Sequence, residues 1–251
     1  MSAAEADCAP EALRPAFHAA YDAWVAISHI QTGPIEDQGL TLAMAFWPDP
    51  KDSTGKALAR LTQAADASVD SPDAFAEVSV AAQGFSALER MLYEPQPDAA
   101  YACRLTRAIS TGLARKSAEI HSAWPAFAAQ MRRAGEAGNA RFQSEDEAAR
   151  ALYTALSAGL EFLHDQRLGR PMGTFERPRP RRAEARRSER ALRNIVVSLT
   201  ALEDLALALA GGELPYTRAA FAAARERAAA LDDPALQGVA EPLGRIRVEA
   251  L

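Results

Sequence analysis

Ser71-Pro-Asp-Ala-Phe-Ala-Glu-Val-Ser-Val-Ala-Ala-Gln-Gly-Phe-Ser-Ala-Leu-Glu-Arg-Met-Leu-Tyr93 carries the clearest helical signal in the chain. Phe75, Val78, Ala82, Phe85 and Leu92 recur at helical spacing, the pattern of one face turned toward a core. Ser71 before Pro72 reads as an N-cap with proline in the first turn, and Pro95 ends the run. The pattern predicts a helix over 72–93. Glu89 falls on its apolar stripe, four residues after Phe85 and three before Leu92. A carboxylate on a buried face must be hydrogen-bonded, ion-paired or metal-bound, because a lone buried charge is costly. Ser86, one turn earlier, reaches the same place. Glu89 therefore marks either a structural Glu–Arg pair inside a bundle or a ligand site.

The same period extends outward in both directions. Upstream, Leu13, Phe17, Tyr21, Trp24 and Ile27 predict a helix over 10–31, stopped by Gly33-Pro34. Two prolines in Phe46-Trp47-Pro48-Asp49-Pro50 forbid a continuous helix there, and a short one follows at 53–67. Downstream, Asp98 opens a long helix to about residue 133, with a kink or break expected at Pro125. Glycine-containing residues 134–139 are the expected boundary between halves. Ser144 and Glu147 form a capping box for a helix to about 168 whose core face is Leu152, Leu156, Leu160 and Leu163. Helices over 183–210, 217–231 and 234–249 complete the chain. The reading is all-α, with one helical bundle over 1–135 and another over 140–251, each with enough helices to enclose a core.

Composition agrees with that class. Alanine, the best helix former, is abundant, aromatic residues are only 7%, and β-branched runs are rare. A net charge of -5 excludes a nucleic-acid binder as the default. No stretch reaches the roughly 18 apolar residues of a membrane span. The start, Met-Ser-Ala-Ala-Glu, has no leader pattern, although a mature exported chain would read the same. Cys8 and Cys103 lack metal-type spacing and are either two free thiols or one disulfide, which residue types alone cannot decide. Gly169 to Arg190 stands apart, with eight arginines against three glutamates. It reads as a solvated loop leading into a helix, or as a surface for an anionic partner.

Gly84-Phe85-Ser86-Ala87-Leu88-Glu89 resembles the G-x-H-x-x-E signature of the imelysin-like family. Trp24 through Gly33-Pro34, then Ala45-Phe46-Trp47-Pro48-Asp49-Pro50, and Asp165-Gln166-Arg167-Leu168-Gly169-Arg170-Pro171-Met172-Gly173 are also similar to family segments, in the right order. The resemblance covers residues from about 20 to 205. It implies two packed four-helix bundles with a site near their junction, export to the periplasm or cell surface, and association with iron uptake. Some members are lipoprotein-related. It also implies a metal-binding role for the signature His and Glu, and the family is peptidase-like in name. This chain departs at the decisive position, where Ser86 replaces histidine. A serine hydroxyl is a poor transition-metal ligand beside an imidazole.

The candidate ligand-binding residues are thus Ser86, Glu89, Glu161, Asp165 and Arg167, with Glu89 and His29 as candidate metal ligands and no catalytic residue. Arg167 is suited to neutralising a carboxylate or holding an anion. Glu161 and His164 have the spacing of a di-iron half-site, but no second such pair exists and the leucine stripe turns elsewhere. The cofactor, if any, is iron or another divalent metal. The partner is a metal ion or small anionic ligand, with an iron-uptake protein beside it. The expected function is an exported binding protein for iron or metal acquisition, without peptidase activity. The rivals are a metal-dependent peptidase or hydrolase, and an adaptor using the arginine-rich segment.

Overall fold

The computed structural model describes residues 8–251; residues 1–5, read above for a leader pattern, lie outside them. Helices dominate, and among the described residues the only β-type pairing is the isolated bridge Thr174–Arg177. The order is α1 Pro10–Ile27, α2 Pro34–Asp37, α3 Leu40–Met44, α4 Ser53–Ala64, α5 Pro72–Ala76, α6 Phe85–Tyr93 and α7 Ala99–Arg132. After these come α8 Glu145–Glu161, a π-helical stretch Phe162–Leu168, α9 Gly169–Met172, α10 Ala191–Ala210, α11 Pro215–Leu231 and α12 Pro242–Glu249. No helix is long and apolar enough to cross a membrane among the described residues.

The described chain packs as two units, one from residues 8–24 and 33–124, the other from 25–32 and 125–251. The expected boundary at 134–139 lies inside the second unit, because α7 runs on through Pro125 to Arg132. In the first unit, Leu13, Phe17 and Tyr21 of α1, Phe85, Leu88 and Leu92 of α6, and Leu105, Ile109 and Leu113 of α7 are buried. Phe17 and Tyr21 both contact the Phe85 ring, with the Tyr21 ring stacked on it at 5.0 Å. Cys8 and Cys103 form a disulfide, with Cα atoms 5.3 Å apart, joining the approach to α1 to α7. The second unit's core is built from Leu163, Leu168, Ile195, Leu199, Leu202, Phe221, Leu231, Leu236 and Val239, among others.

Capping signals behave as their chemistry requires. Ser71 accepts from the Ala74 amide and Asp98 from those of Ala100 and Tyr101. The Ser144 hydroxyl accepts from Glu147 N at 3.2 Å, while the Glu147 carboxylate reaches back to Gln143 N at 2.6 Å. Asp49 accepts from the amides of Ser53 and Thr54, both at 2.8 Å. Burial alone would raise its carboxyl, but those hydrogen bonds outweigh it and hold the group below its ordinary value.

Further expectations need correction: the last helix starts only at Pro242, because residues 237–240 form a 3-10 turn after a turn at 234–235. The helix over 72–93 is interrupted between Ala76 and Phe85, where the buried Gln83 amide donates to the carbonyls of Ala76 and Val78 and replaces helical bonding. Residues 183–190 are turns rather than helix, with Ala185 and Glu189 at positive φ. On α8 the buried face is Ala148, Ala155 and Gly159, and Leu160 is 40% exposed. Gly159 explains this shift: a Cβ there would stand 2.5 Å from a Leu202 methyl and 2.9 Å from His29 Cβ. Small residues let α8 approach α10 more closely than a leucine stripe allows.

Candidate functional site

In the first unit the site is built on α6. Gly84 occupies its N-cap, and a Cβ there would lie 2.6 Å from the Met44 carbonyl oxygen and 2.9 Å from that of Ala43. Only glycine lets α6 begin against that backbone. Two residues on, Ser86 is half-buried, and Glu89 is 4% exposed among the buried side chains of Phe85, Leu88 and Leu92. The next residue, Arg90, is ion-paired with Asp52 and lies 3.8 Å from Glu94. Arg14 donates to the Leu92 carbonyl at 2.9 Å, and His18 Nε2 is 2.6 Å from the Tyr93 hydroxyl. A cleft of about 170 Å³ also meets α6, but it is lined by Phe17, Phe85, Leu88, Leu92 and Leu113 rather than by Ser86 or Glu89.

In the second unit the polar centre is Arg167. Its side chain is enclosed because the π-helical turn carries the buried face from Gly159 through Leu163 to Arg167 and Leu168. Such wide turns are rare and alter which residues of a helix face inward. Arg167 Nε donates to Glu184 Oε2 at 2.7 Å and Nη1 to Ser198 Oγ at 2.6 Å. Nη2 lies 3.5 Å from both Ser28 Oγ and Glu184 Oε1. Asn194 Nδ2 donates to Glu184 Oε2 at 2.9 Å, and the guanidinium lies 5.1 Å from the Phe162 ring centre. Arg167, Glu184, Asn194 and Ser198 are all buried.

Ser28, His29, Gly159, Phe162, Arg167 and Ser198 line a pocket of about 20 Å³ in this unit, the size that holds one water. His29 titrates below its ordinary value, first because it is partly desolvated by its half-buried position and second because the Arg167 guanidinium is near. Its imidazole is therefore neutral at physiological pH. Glu161 and Asp165 do not enter this centre: both are exposed, and Asp165 instead pairs with exposed His164 at 2.7 Å. Of the three candidates on this turn, only Arg167 points inward. Glu184, Ser198, Asn194 and Ser28 were not anticipated. Glu184 carried one signal, as an acidic residue inside an arginine-rich run.

The imelysin peptidase family model matches residues 1–251. The chain belongs to the imelysin family. No curated protein matches it. A solved structure described as an imelysin-like protein from Psychrobacter arcticum 273-4 superposes with a TM-score of 0.69, covering 96% of this chain and 75% of that one. At 18% identity the likeness is one of fold.

Glu89 and His29 belong to different units. Glu89 has a hydroxyl at Ser86 where the signature has an imidazole, and His29 has a guanidinium for a neighbour, whose charge opposes a cation. Within neither unit do three or more His, Cys, Asp or Glu side chains converge among the described residues. This donor set does not fit a resident transition metal, which draws on several imidazole, thiolate or carboxylate ligands.

Proposed function

We propose that this imelysin-family chain is an exported binding protein serving iron or metal acquisition, that it is not a peptidase, and that it engages its ligand through Glu89 and Ser86. The observation that carries the reading is Glu89, a carboxylate 4% exposed on the signature helix and one turn from Ser86. A buried carboxylate and a hydroxyl together are hydrogen-bonding groups, suited to a hydrated or chelated metal rather than a bare ion. Replacement of the signature imidazole removes the ligand best able to hold a water-activating metal, which weighs against hydrolysis. The Cys8–Cys103 disulfide supports an oxidising compartment, in keeping with the periplasm or the cell surface.

Calorimetry with ferrous, ferric, zinc and cupric ions tests the reading. The wild-type chain binds bare ions weakly, Glu89→Gln removes what binding there is, and Ser86→His tightens it by about tenfold or more. Tight binding that survives Glu89→Gln, or chelator-sensitive turnover of peptides, would overturn the proposal.

A further inference from the structure

The arginine-rich stretch of the second unit has a defined shape. Thr174 and Arg177 exchange backbone hydrogen bonds of 3.3 and 3.1 Å, which closes a hairpin with Phe175 and Glu176 at its tip. Gly173 enters it at φ +57°, where a Cβ would collide with the Arg177 carbonyl oxygen. Arg245 of α12 donates to the carbonyls of Met172 at 2.6 Å and Thr174 at 3.0 Å, so the hairpin's base is fixed to that helix. The Phe175 ring, 5.9 Å from the Arg245 guanidinium, is nevertheless 70% exposed. On α12, Leu243 and Ile246 share one helical face and are 77% and 58% exposed.

Arg177, Arg179, Arg181 and Arg182 follow the hairpin, and all four are exposed. Among the described residues no carboxylate is paired with any of them; Glu249, by contrast, is taken by Arg245. Beside Glu249, Glu176 and Glu241 are the other exposed acids on the same elements. A chain of net charge -5 therefore exposes three large apolar side chains and four unpaired guanidinium groups along this hairpin, the segment after it and the helix to which Arg245 ties it.

We propose that this surface docks on an anionic phospholipid bilayer. An interfacial layer accepts both kinds of contact at once: phosphates meet guanidinium groups, while aromatic and aliphatic side chains enter the boundary with the acyl chains. Charge complementarity singles out anionic lipid, since the net-negative remainder of the chain disfavours other orientations. An acidic protein would satisfy the arginines without requiring Phe175, Leu243 and Ile246.

Co-sedimentation with phosphatidylglycerol–phosphatidylcholine vesicles tests this, with pure phosphatidylcholine as control. The wild-type chain binds the anionic vesicles and releases as salt rises. The variant R177Q/R179Q/R181Q/R182Q loses at least about tenfold in partitioning. The variant F175S/L243S/I246S also loses binding at low salt, and Phe175→Trp shows a blue-shifted emission on vesicles. All seven side chains are exposed, so an unchanged unfolding midpoint certifies both multiple variants. Equal binding to both vesicle types, or wild-type binding by either variant, overturns the proposal. So does a polyglutamate peptide that binds the wild-type and the serine variant alike while vesicles do not.

Discussion

Glu184→Gln is the sharpest test of how the second unit is held together. The Arg167 and Glu184 side chains are each only 6% exposed and meet at 2.7 Å, and Glu184 also accepts from Asn194 at 2.9 Å. Glutamine preserves the shape but strands the guanidinium charge and turns an amide toward existing donors. Removing one partner of such a buried pair costs about 3–5 kcal/mol, because the remaining charge keeps its desolvation penalty without its counter-ion. At about 3 °C per kcal/mol for a chain of this size, the midpoint falls by roughly 10–15 °C. The double variant Arg167→Met/Glu184→Leu removes both charges and recovers most of that loss. It leaves a deficit of about 1–3 kcal/mol from the deprived Asn194 and Ser198. Urea unfolding followed by circular dichroism gives all three free energies. The reasoning fails if Glu184→Gln stays within about 1 kcal/mol of wild type, or if the double variant is less stable than the single one.

Two further outcomes rest on the first unit's disulfide and on His29 of the second. The disulfide spans a sequence separation of 95 residues, so Cys103→Ser lowers unfolding stability by about 4–5 kcal/mol by chain entropy; denaturation with and without reductant measures it, and an unchanged wild-type midpoint under reductant contradicts it. His29 titrates below 6.5 when folded, so its contribution is full above pH 6.5 and is lost as the pH falls through the folded value. Urea midpoints measured against pH should decline on acidification more steeply for wild type than for His29→Gln, and parallel profiles would dispose of that link.

How much of this was legible in the sequence depended on whether the signal was local. Capping at Ser71, Asp98 and Ser144 rests on hydrogen bonds between near neighbours, and those positions read correctly. The burial of Glu89 also followed from spacing, because Phe85 and Leu92 bracket it on one helix. Features that a periodic apolar pattern does not encode did not show. Periodicity across 72–93 gave no hint that the Gln83 amide would satisfy the carbonyls of Ala76 and Val78. The leucine stripe of α8 likewise concealed the close approach at Gly159, which depends on Leu202 and His29.

Arg167 shows most clearly why side-chain chemistry alone could not assign a role. On sequence its guanidinium suits either a partner carboxylate or an anionic ligand, and it is grouped with Glu161 and Asp165 by proximity in the chain. The π-helical turn separates these three, burying the arginine and leaving both acids exposed. Once inside, its Nε and Nη1 are committed to Glu184 and Ser198 at 2.7 and 2.6 Å, and Nη2 keeps only contacts of 3.5 Å. A ligand anion would have to displace a carboxylate already desolvated and also held by Asn194. The pocket beside it, about 20 Å³, has room for no more than a water-sized molecule. The capacity to hold an anionic surface then falls to the arginines that follow the hairpin, which are exposed and have no such carboxylate to give up.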